Sequence, residues 1–260
     1  PRLELTFDWN ASGKIATIGI KQTQKADNKN EELLFKIPFV LAFYYKNSEE
    51  RFSIEIKSDK EKFCFRLKNK PLFFRIDPDY ECPCKVVVSD IPRPMFYEQI
   101  KRDPDPIGRL EAAMALSKNS SSEDVSVLGE RLKKEKEWGV SIRISKALGK
   151  VGGKEARNFL IKGLKISDPK IRRGIVSALG SFPHDEKSIL ALRECAKNDP
   201  SYRVEANALQ MLGKVKDKDS FSFLESSISR PSHNAMAQTG IYNALAELED
   251  EASWDYLIRG

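Results

Sequence analysis

Two rows of leucine keep one interval through the second half of this 260-residue chain. Leu116, Leu148, Leu179, Leu212 and Leu245 stand 32, 31, 33 and 33 positions apart. Leu128, Leu160, Leu192, Leu224 and Leu257 stand 32, 32, 32 and 33 apart. Two apolar positions holding one period in parallel mark a repeated structural unit. The stretch from Asp168 to Lys197 shows what that unit is. Asp168 suits a helix N-cap, and Pro169 suits the first helical position, where no N–H is needed. Ile171, Ile175, Ala178 and Leu179 then share one helical face. After a Ser-Phe-Pro-His-Asp turn, a second helix carries Ile189, Leu192 and Ala196. One such hairpin cannot bury its apolar stripe alone, so neighbours must stack.

Other marks follow the same period. Asp-Pro recurs at Asp105-Pro106 and Asp199-Pro200, and Leu-Gly at Leu148-Gly149, Leu179-Gly180 and Leu212-Gly213. Arg109, Arg143, Arg172 and Arg203 fall early in the first helix of successive units. This combination resembles the HEAT and HEAT-like α-solenoids, with a period shorter than is usual for them. A tetratricopeptide reading fits the length, but its Trp-Leu-Gly-Tyr pattern is missing.

The first hundred residues change period from helical to alternating. Leu3, Leu5, Phe7 and Trp9 alternate with Arg2, Glu4, Thr6 and Asp8, as in a half-buried strand. Asn10–Gly13 supplies a turn, and Ile18, Ile20, Gln22 and Gln24 extend a second strand. After a polar loop at Ala26–Glu32 comes the longest alternation, from Phe35 through Ile37, Phe39, Leu41 and Phe43 to Tyr45. Phe52, Ile54 and Ile56, then Phe63, Phe65 and Leu67, then Leu72, Phe74 and Ile76 give further strands, and Val86–Val88 a last short one. Pro38 lies on an outward phase, which places it at an edge or bulge. Short strands with close turns and no helix between them indicate an antiparallel β-sandwich whose Phe and Trp side chains are core. The expected class is therefore multidomain β plus α: a sandwich over 1–90, a Pro-rich linker and short capping helix over 91–104, and a solenoid of five helical hairpins over 105–260.

Charge excludes little. Residues 1–100 hold 17 Lys and Arg against 15 Asp and Glu, and the remainder 27 against 23, for a net +6. Cations and acids interleave along the chain, which argues against nucleic acid as a partner. Lys133, Lys165 and Lys197 form the best candidate stripe, and they read first as cations complementing helix C-termini. No run of apolar residues long enough to span a membrane occurs, and no charged-then-apolar leader opens the sequence. Four cysteines and no leader point to a reducing cytoplasm. The start at Pro1 and the stop at Gly260 suggest a fragment of a longer protein.

Candidate chemistry is sparse. Cys82-Pro-Cys84 is the only close cysteine pair, and it reads as a free-thiol loop. His184 and His233 are the only histidines and cannot form a zinc-finger spacing. Ser120, Ser121 and Ser122 read as an inter-helix loop without a Gly-x-Ser-x-Gly setting. Asp105, Asp168 and Asp199 read as helix caps. The sequons at Asn10 and Asn119 matter only in a secreted protein. No catalytic, cofactor-binding or metal-ligating residue is assigned.

The order of the parts carries a second resemblance. A sandwich opening Pro-Arg-Leu-Glu-Leu, with Trp9 and a Gln22-Thr-Gln24 strand, followed directly by a helical solenoid, resembles the C-terminal half of the gluzincin aminopeptidases. It is similar above all to the subgroup with HEAT-like repeats that includes the TATA-binding-protein-associated factor. Arg75-Ile-Asp77-Pro78 is similar to that family's late strand leading to an Asp. The family's His-Glu-x-x-His helix and Gly-x-Met-Glu-Asn strand are absent. His184 is followed by Asp-Glu-Lys-Ser and His233 by Asn-Ala-Met-Ala, so the paired ligands at i and i+4 cannot be made. The resemblance implies a non-catalytic region that frames access to a peptidase cleft. Zinc would belong to a catalytic domain preceding Pro1, and the partners would be that domain and peptides or a protein on the concave solenoid face. The alternative is an interaction scaffold of a catalytically dead relative, with nucleic acid as a third reading.

Overall fold

The computed structural model describes residues 1–24, 34–118, 121–216, 219–229, 233–249 and 251–259. The polar loop expected over Ala26–Glu32 lies outside them. The chain divides into two compact units, Pro1–Gly108 and Arg109–Gly260.

Seven strands among the described residues build the first unit: β1 (Arg2–Asn10), β2 (Ile15–Gln22), β3 (Ile37–Tyr44), β4 (Glu49–Ile56), β5 (Lys60–Arg66), β6 (Phe73–Ile76) and β7 (Lys85–Asp90). They form two sheets, β5-β2-β1-β7 and β4-β3-β6. Alternation decides which side chains go inside. Leu3, Leu5 and Phe7 of β1, and Ile37, Phe39, Leu41 and Phe43 of β3, are buried, and Trp9 is half-buried against the same core. Phe43 is the hub, with its ring 5.2 Å from that of Phe65 and 5.8 Å from that of Phe52. Among the described residues all pairings are antiparallel except one: β1 runs parallel to β7, with Leu3 beside Val86 and Leu5 beside Val88.

Pro38 is exposed on β3 opposite Glu55 of β4. Two residues on, the Val40 carbonyl accepts the Asp77 N–H at 2.8 Å on the β6 side. Pro38 turns its nitrogen to that same side, where β6 has already ended, so no ladder bond is lost. Gln22, at the end of β2, is buried and fully bonded. Its amide nitrogen donates to the carbonyls of Phe35 (2.8 Å) and Ser58 (3.1 Å), and its oxygen accepts the Phe35 N–H (3.0 Å). This clamp holds the chain into β3, which starts at Ile37; Phe35 itself is exposed. Helix α1 (Arg93–Arg102) lies against β6, and its Met95 joins the sandwich core.

The rest is helical: α2 (Pro106–Leu116), α3 (Ser122–Lys134), α4 (Trp138–Val151), α5 (Gly153–Gly163), α6 (Pro169–Leu179), α7 (Glu186–Asn198), α8 (Tyr202–Lys214), α9 (Ser220–Ser227), α10 (Met236–Leu248) and α11 (Glu251–Arg259). A 3-10 turn, His233–Ala235, precedes α10. The leucine rows are the core. Leu116, Leu148, Leu179, Leu212 and Leu245 are at most 1% exposed, as are Leu128, Leu160, Leu192 and Leu224; only Leu257 is half-buried. At roughly 1.5–3 kcal/mol for each buried leucine side chain, these rows dominate the stability of the repeats.

Two layers result. The even-numbered helices α4, α6, α8 and α10 pack side by side, and the odd-numbered α3, α5 and α7 form a looser second layer. The Leu-Gly pairs explain the close first layer. A Cβ on Gly213 would lie 2.4 Å from the Ala244 carbonyl oxygen, and one on Gly149 would lie 2.9 Å from that of Ala178. Only glycine lets the following helix approach so near.

Candidate interaction surfaces of the helical repeats

The arginines fall into two groups. Arg109, the fourth residue of α2, is buried and donates to both oxygens of Glu135 at 2.9 and 3.0 Å. Arg172, the fourth residue of α6, donates to both oxygens of Asp199 at 2.8 and 2.9 Å. Its remaining nitrogen reaches the carbonyls of Ile166 and Ser167 at 3.0 and 2.6 Å. Each acid sits where one second helix ends, and also accepts backbone N–H groups of the next approach: Glu137 on Glu135, Ser201 on Asp199. These bidentate pairs tie a first helix to the loop before the next one.

Arg75 and Asp103 repeat the pattern inside the first unit. Arg75 reaches Asp103 at 3.4 Å and Asp105 at 3.2 Å, while the Asp105 N–H donates to Asp103 at 3.0 Å. Electrostatics separate the two buried acids, Glu135 and Asp103. Burial opposes ionisation of Glu135, but Arg109, the Glu137 N–H and Arg131 outweigh it and hold the carboxyl at about 2. Burial pushes Asp103 up, and the longer contact with Arg75 does not reverse this.

Arg143 and Arg203 do not follow. They are the sixth residue of α4 and the second of α8, so the helical turn carries them outward; the fourth positions hold Ser141 and Glu205, both buried. Among the described residues neither arginine has an acid or carbonyl partner. Their shared place early in the first helix therefore does not give Arg143 and Arg203 the inter-repeat pairing that Arg109 and Arg172 make. The distinguishing signal is in the sequence: Arg109 and Arg172 each lie seven residues before their row leucine, Arg143 five and Arg203 nine.

The lysine stripe is mostly internal bracing. Lys133, in the last turn of α3, pairs with Glu130 and places its ammonium 5.1 Å from the Phe159 ring centroid of α5. Lys197 stands 5.4 Å from the Phe223 ring of α9. Such cation–π contacts join successive second helices. Lys165 is exposed beyond the end of α5.

The first-helix layer presents a different surface. Lys146 and Lys150 of α4, Lys170 and Arg173 of α6, and Arg203 of α8 are exposed, and Arg143 is half-buried. Neither α4 nor α6 contains an Asp or Glu, and the single acid of α8, Glu205, is buried. Trp138, half-exposed at the start of α4, has the Lys170 ammonium 5.0 Å over its ring.

The remaining residues offer little chemistry. His184 is exposed in the turn between α6 and α7, and His233 opens the 3-10 turn. Among the described residues, no three of His, Cys, Asp and Glu converge as a metal site requires. Burial pushes the Cys84 thiol up to about 12 and the Cys195 thiol up to about 11, the opposite of an activated nucleophile. Ser120 and Asn119 lie outside the described residues. Ser121 is not loop but the N-cap of α3, in a capping box with Asp124, and Ser122 begins the helix. Asp168 caps α6 as expected, and Asp105 accepts the Ile107 N–H. Asp199 ends α7, whereas α8 starts from Ser201. Asp77 accepts the N–H groups of Glu81 and Cys82, closing the turn after β6. No helix among the described residues is long and apolar enough to cross a membrane.

The family model for HEAT repeats matches residues 93–180 and 125–206. The helices are consistent with HEAT-like repeats. No curated protein matches the chain. Among solved structures it is similar to Legionella pneumophila aminopeptidase A in complex with aspartic acid, at 15% identity and a TM-score of 0.43, over 99% of this chain and 33% of that one. It is also similar to the CpcE–CpcF complex of phycocyanin lyase from Nostoc sp. PCC7120, at 20% identity and a TM-score of 0.49, over 66% of this chain and 70% of that one. A third is human deoxyhypusine hydroxylase in complex with glycerol, at 18% identity and a TM-score of 0.37, over 60% and 73%. The chain thus spans about a third of the length of the aminopeptidase it matches.

Proposed function

We propose that this chain is a non-catalytic protein-interaction scaffold. The observation that carries the reading is the HEAT-like layer α4, α6, α8 and α10, packed side by side with its outward charged side chains left in solvent. Stacked repeats offer a long surface to a partner while their stability stays in the leucine rows. Chemical cross-linking of the native protein, followed by peptide mapping, tests it. A scaffold gives reproducible cross-links from Lys146, Lys150 or Lys170 to one partner; cross-links only within the chain overturn it.

A finer reading follows from the order of the parts, sandwich then repeats, and from the Arg75-Ile-Asp77-Pro78 strand end. In it the chain is the C-terminal region of a zinc aminopeptidase-like protein and frames access to the peptidase cleft. Zinc has no ligand set among the described residues here, so the metal would belong to a separate catalytic domain. The reading frame upstream of Pro1 is the test. A His-Glu-x-x-His helix with a distal Glu supports an active parent, the same region with those ligands replaced supports a dead relative, and no such region overturns both.

A further inference from the structure

We infer that the outward face of α4, α6 and α8 binds an acidic polypeptide segment, an inference that rests on the scaffold reading and names its surface and partner. Along the sequence, cations and acids alternate. Folding separates them. The second-layer helices keep their acids beside their lysines: Glu123 and Glu130 on α3, Glu155 on α5, Glu186 and Glu194 on α7, all exposed. The first-layer helices α4 and α6 have none, and the one acid of α8 is buried. Among the described residues, no carboxylate comes within ion-pair distance of Arg143, Lys146, Lys150, Lys170, Arg173 or Arg203. The patch is bounded: on α10, Glu247 comes within 3.9 Å of Lys214. Apart from Glu137 and Asp168 at the N-caps of α4 and α6, the accessible charges of these three helices are cations, and such a surface favours an anionic partner over a cationic one.

Neighbouring helix axes lie about 8–10 Å apart, so cations on successive helices suit a segment whose acids are separated by neutral residues. The neutral side chains on this face also suit a peptide. Gln210 of α8 is a partly exposed amide that can both donate to and accept from a peptide backbone. One ring face of Trp138 is occupied by Lys170, which leaves it a poorer stacking platform for a base.

The test is binding of a fluorescein-labelled peptide of Glu spaced by Leu and Ser to the full chain, read by anisotropy. Lys146→Glu with Arg173→Glu sets two carboxylates among the cations of the face, and Lys154→Glu with Lys187→Glu is the second-layer control. Circular dichroism shows that both variants keep their helices. The expected result is saturable binding that falls at least about tenfold in the first variant and stays unchanged in the control. Absence of binding, or an equal effect of both variants, overturns the surface. Preferential displacement of the peptide by a single-stranded oligonucleotide of the same net charge overturns the partner class. Loss of this binding site with cross-linking to a partner intact leaves the scaffold reading standing alone, whereas loss of both removes it too.

Discussion

Arg172 holds Asp199 through two parallel hydrogen bonds while its third nitrogen closes the carbonyls of Ile166 and Ser167. One guanidinium thus satisfies the chain on both sides of α6. Arg172→Ala leaves a carboxylate that is 5% exposed without its cation. Breaking one partner of a buried pair costs about 3–5 kcal/mol. The expected outcome is a helical urea transition lowered by that amount, with Arg172→Ala plus Asp199→Ala losing less than the single change.

Glu135 makes the helical unit acid-sensitive. Its folded carboxyl is held at about 2, below the ordinary 4.5. A depressed carboxylate contributes stability that is fully present above the unfolded value and lost as pH falls through the folded one. The window is therefore from about 4.5 down to about 2, and the contribution is on the order of 3 kcal/mol. Urea midpoints measured across that window should fall with pH, and Glu135→Gln should flatten the slope while lowering stability at neutral pH.

Two glycines should respond with opposite signs. Gly213→Ala drives a methyl into the Ala244 backbone, and overpacking of this kind costs about 1–3 kcal/mol. Gly139, in the first turn of α4, has open space where a methyl would go, with nothing within 4 Å. Gly139→Ala is expected to gain about 0.4–1 kcal/mol by reducing the freedom of the unfolded chain. Thermal melts of the two variants give the comparison directly.

In the sandwich, Gln22→Ala strips bonds from the Phe35 N–H and from the carbonyls of Phe35 and Ser58. Because Phe35 and Ser58 are exposed, the loss is that of ordinary hydrogen bonds, about 0.5–1.5 kcal/mol each. Amide exchange should quicken first at Phe35 and Ile37; unchanged protection there would refute the clamp.

Thiol labelling separates Cys64 from Cys84 and Cys195. Cys64 is exposed on β5, whereas the Cys84 and Cys195 thiols are pushed up to about 12 and about 11. Iodoacetamide at neutral pH should modify Cys64 before either of them.

Much of the fold is legible because it is periodic. The alternation of Leu3, Leu5 and Phe7 and the leucine rows depend on local spacing, and burial follows that spacing almost residue by residue. Long-range pairing is not legible. Val86–Val88 looks like any short strand, and nothing local says that it runs parallel to β1. Charge counted along the chain misleads, because Glu155 and Lys146 are close in sequence but lie on different layers. The buried acids escape for a similar reason. Glu135 and Asp199 stand beside helix ends, where a carboxylate reads as a cap until the arginine a repeat away is placed against it.

The parallel β1–β7 pair also decides how the sandwich answers force. Tension applied at Pro1 and beyond Asp90 draws two adjacent strands in opposite directions along their own axes, so the regular stretch of the ladder from Arg2 to Leu5 bears the load together. A hairpin pulled at its ends would open one bond at a time, like a zip. On this geometry the β1–β7 ladder is expected to yield to pulling more slowly than a hairpin opened from its ends.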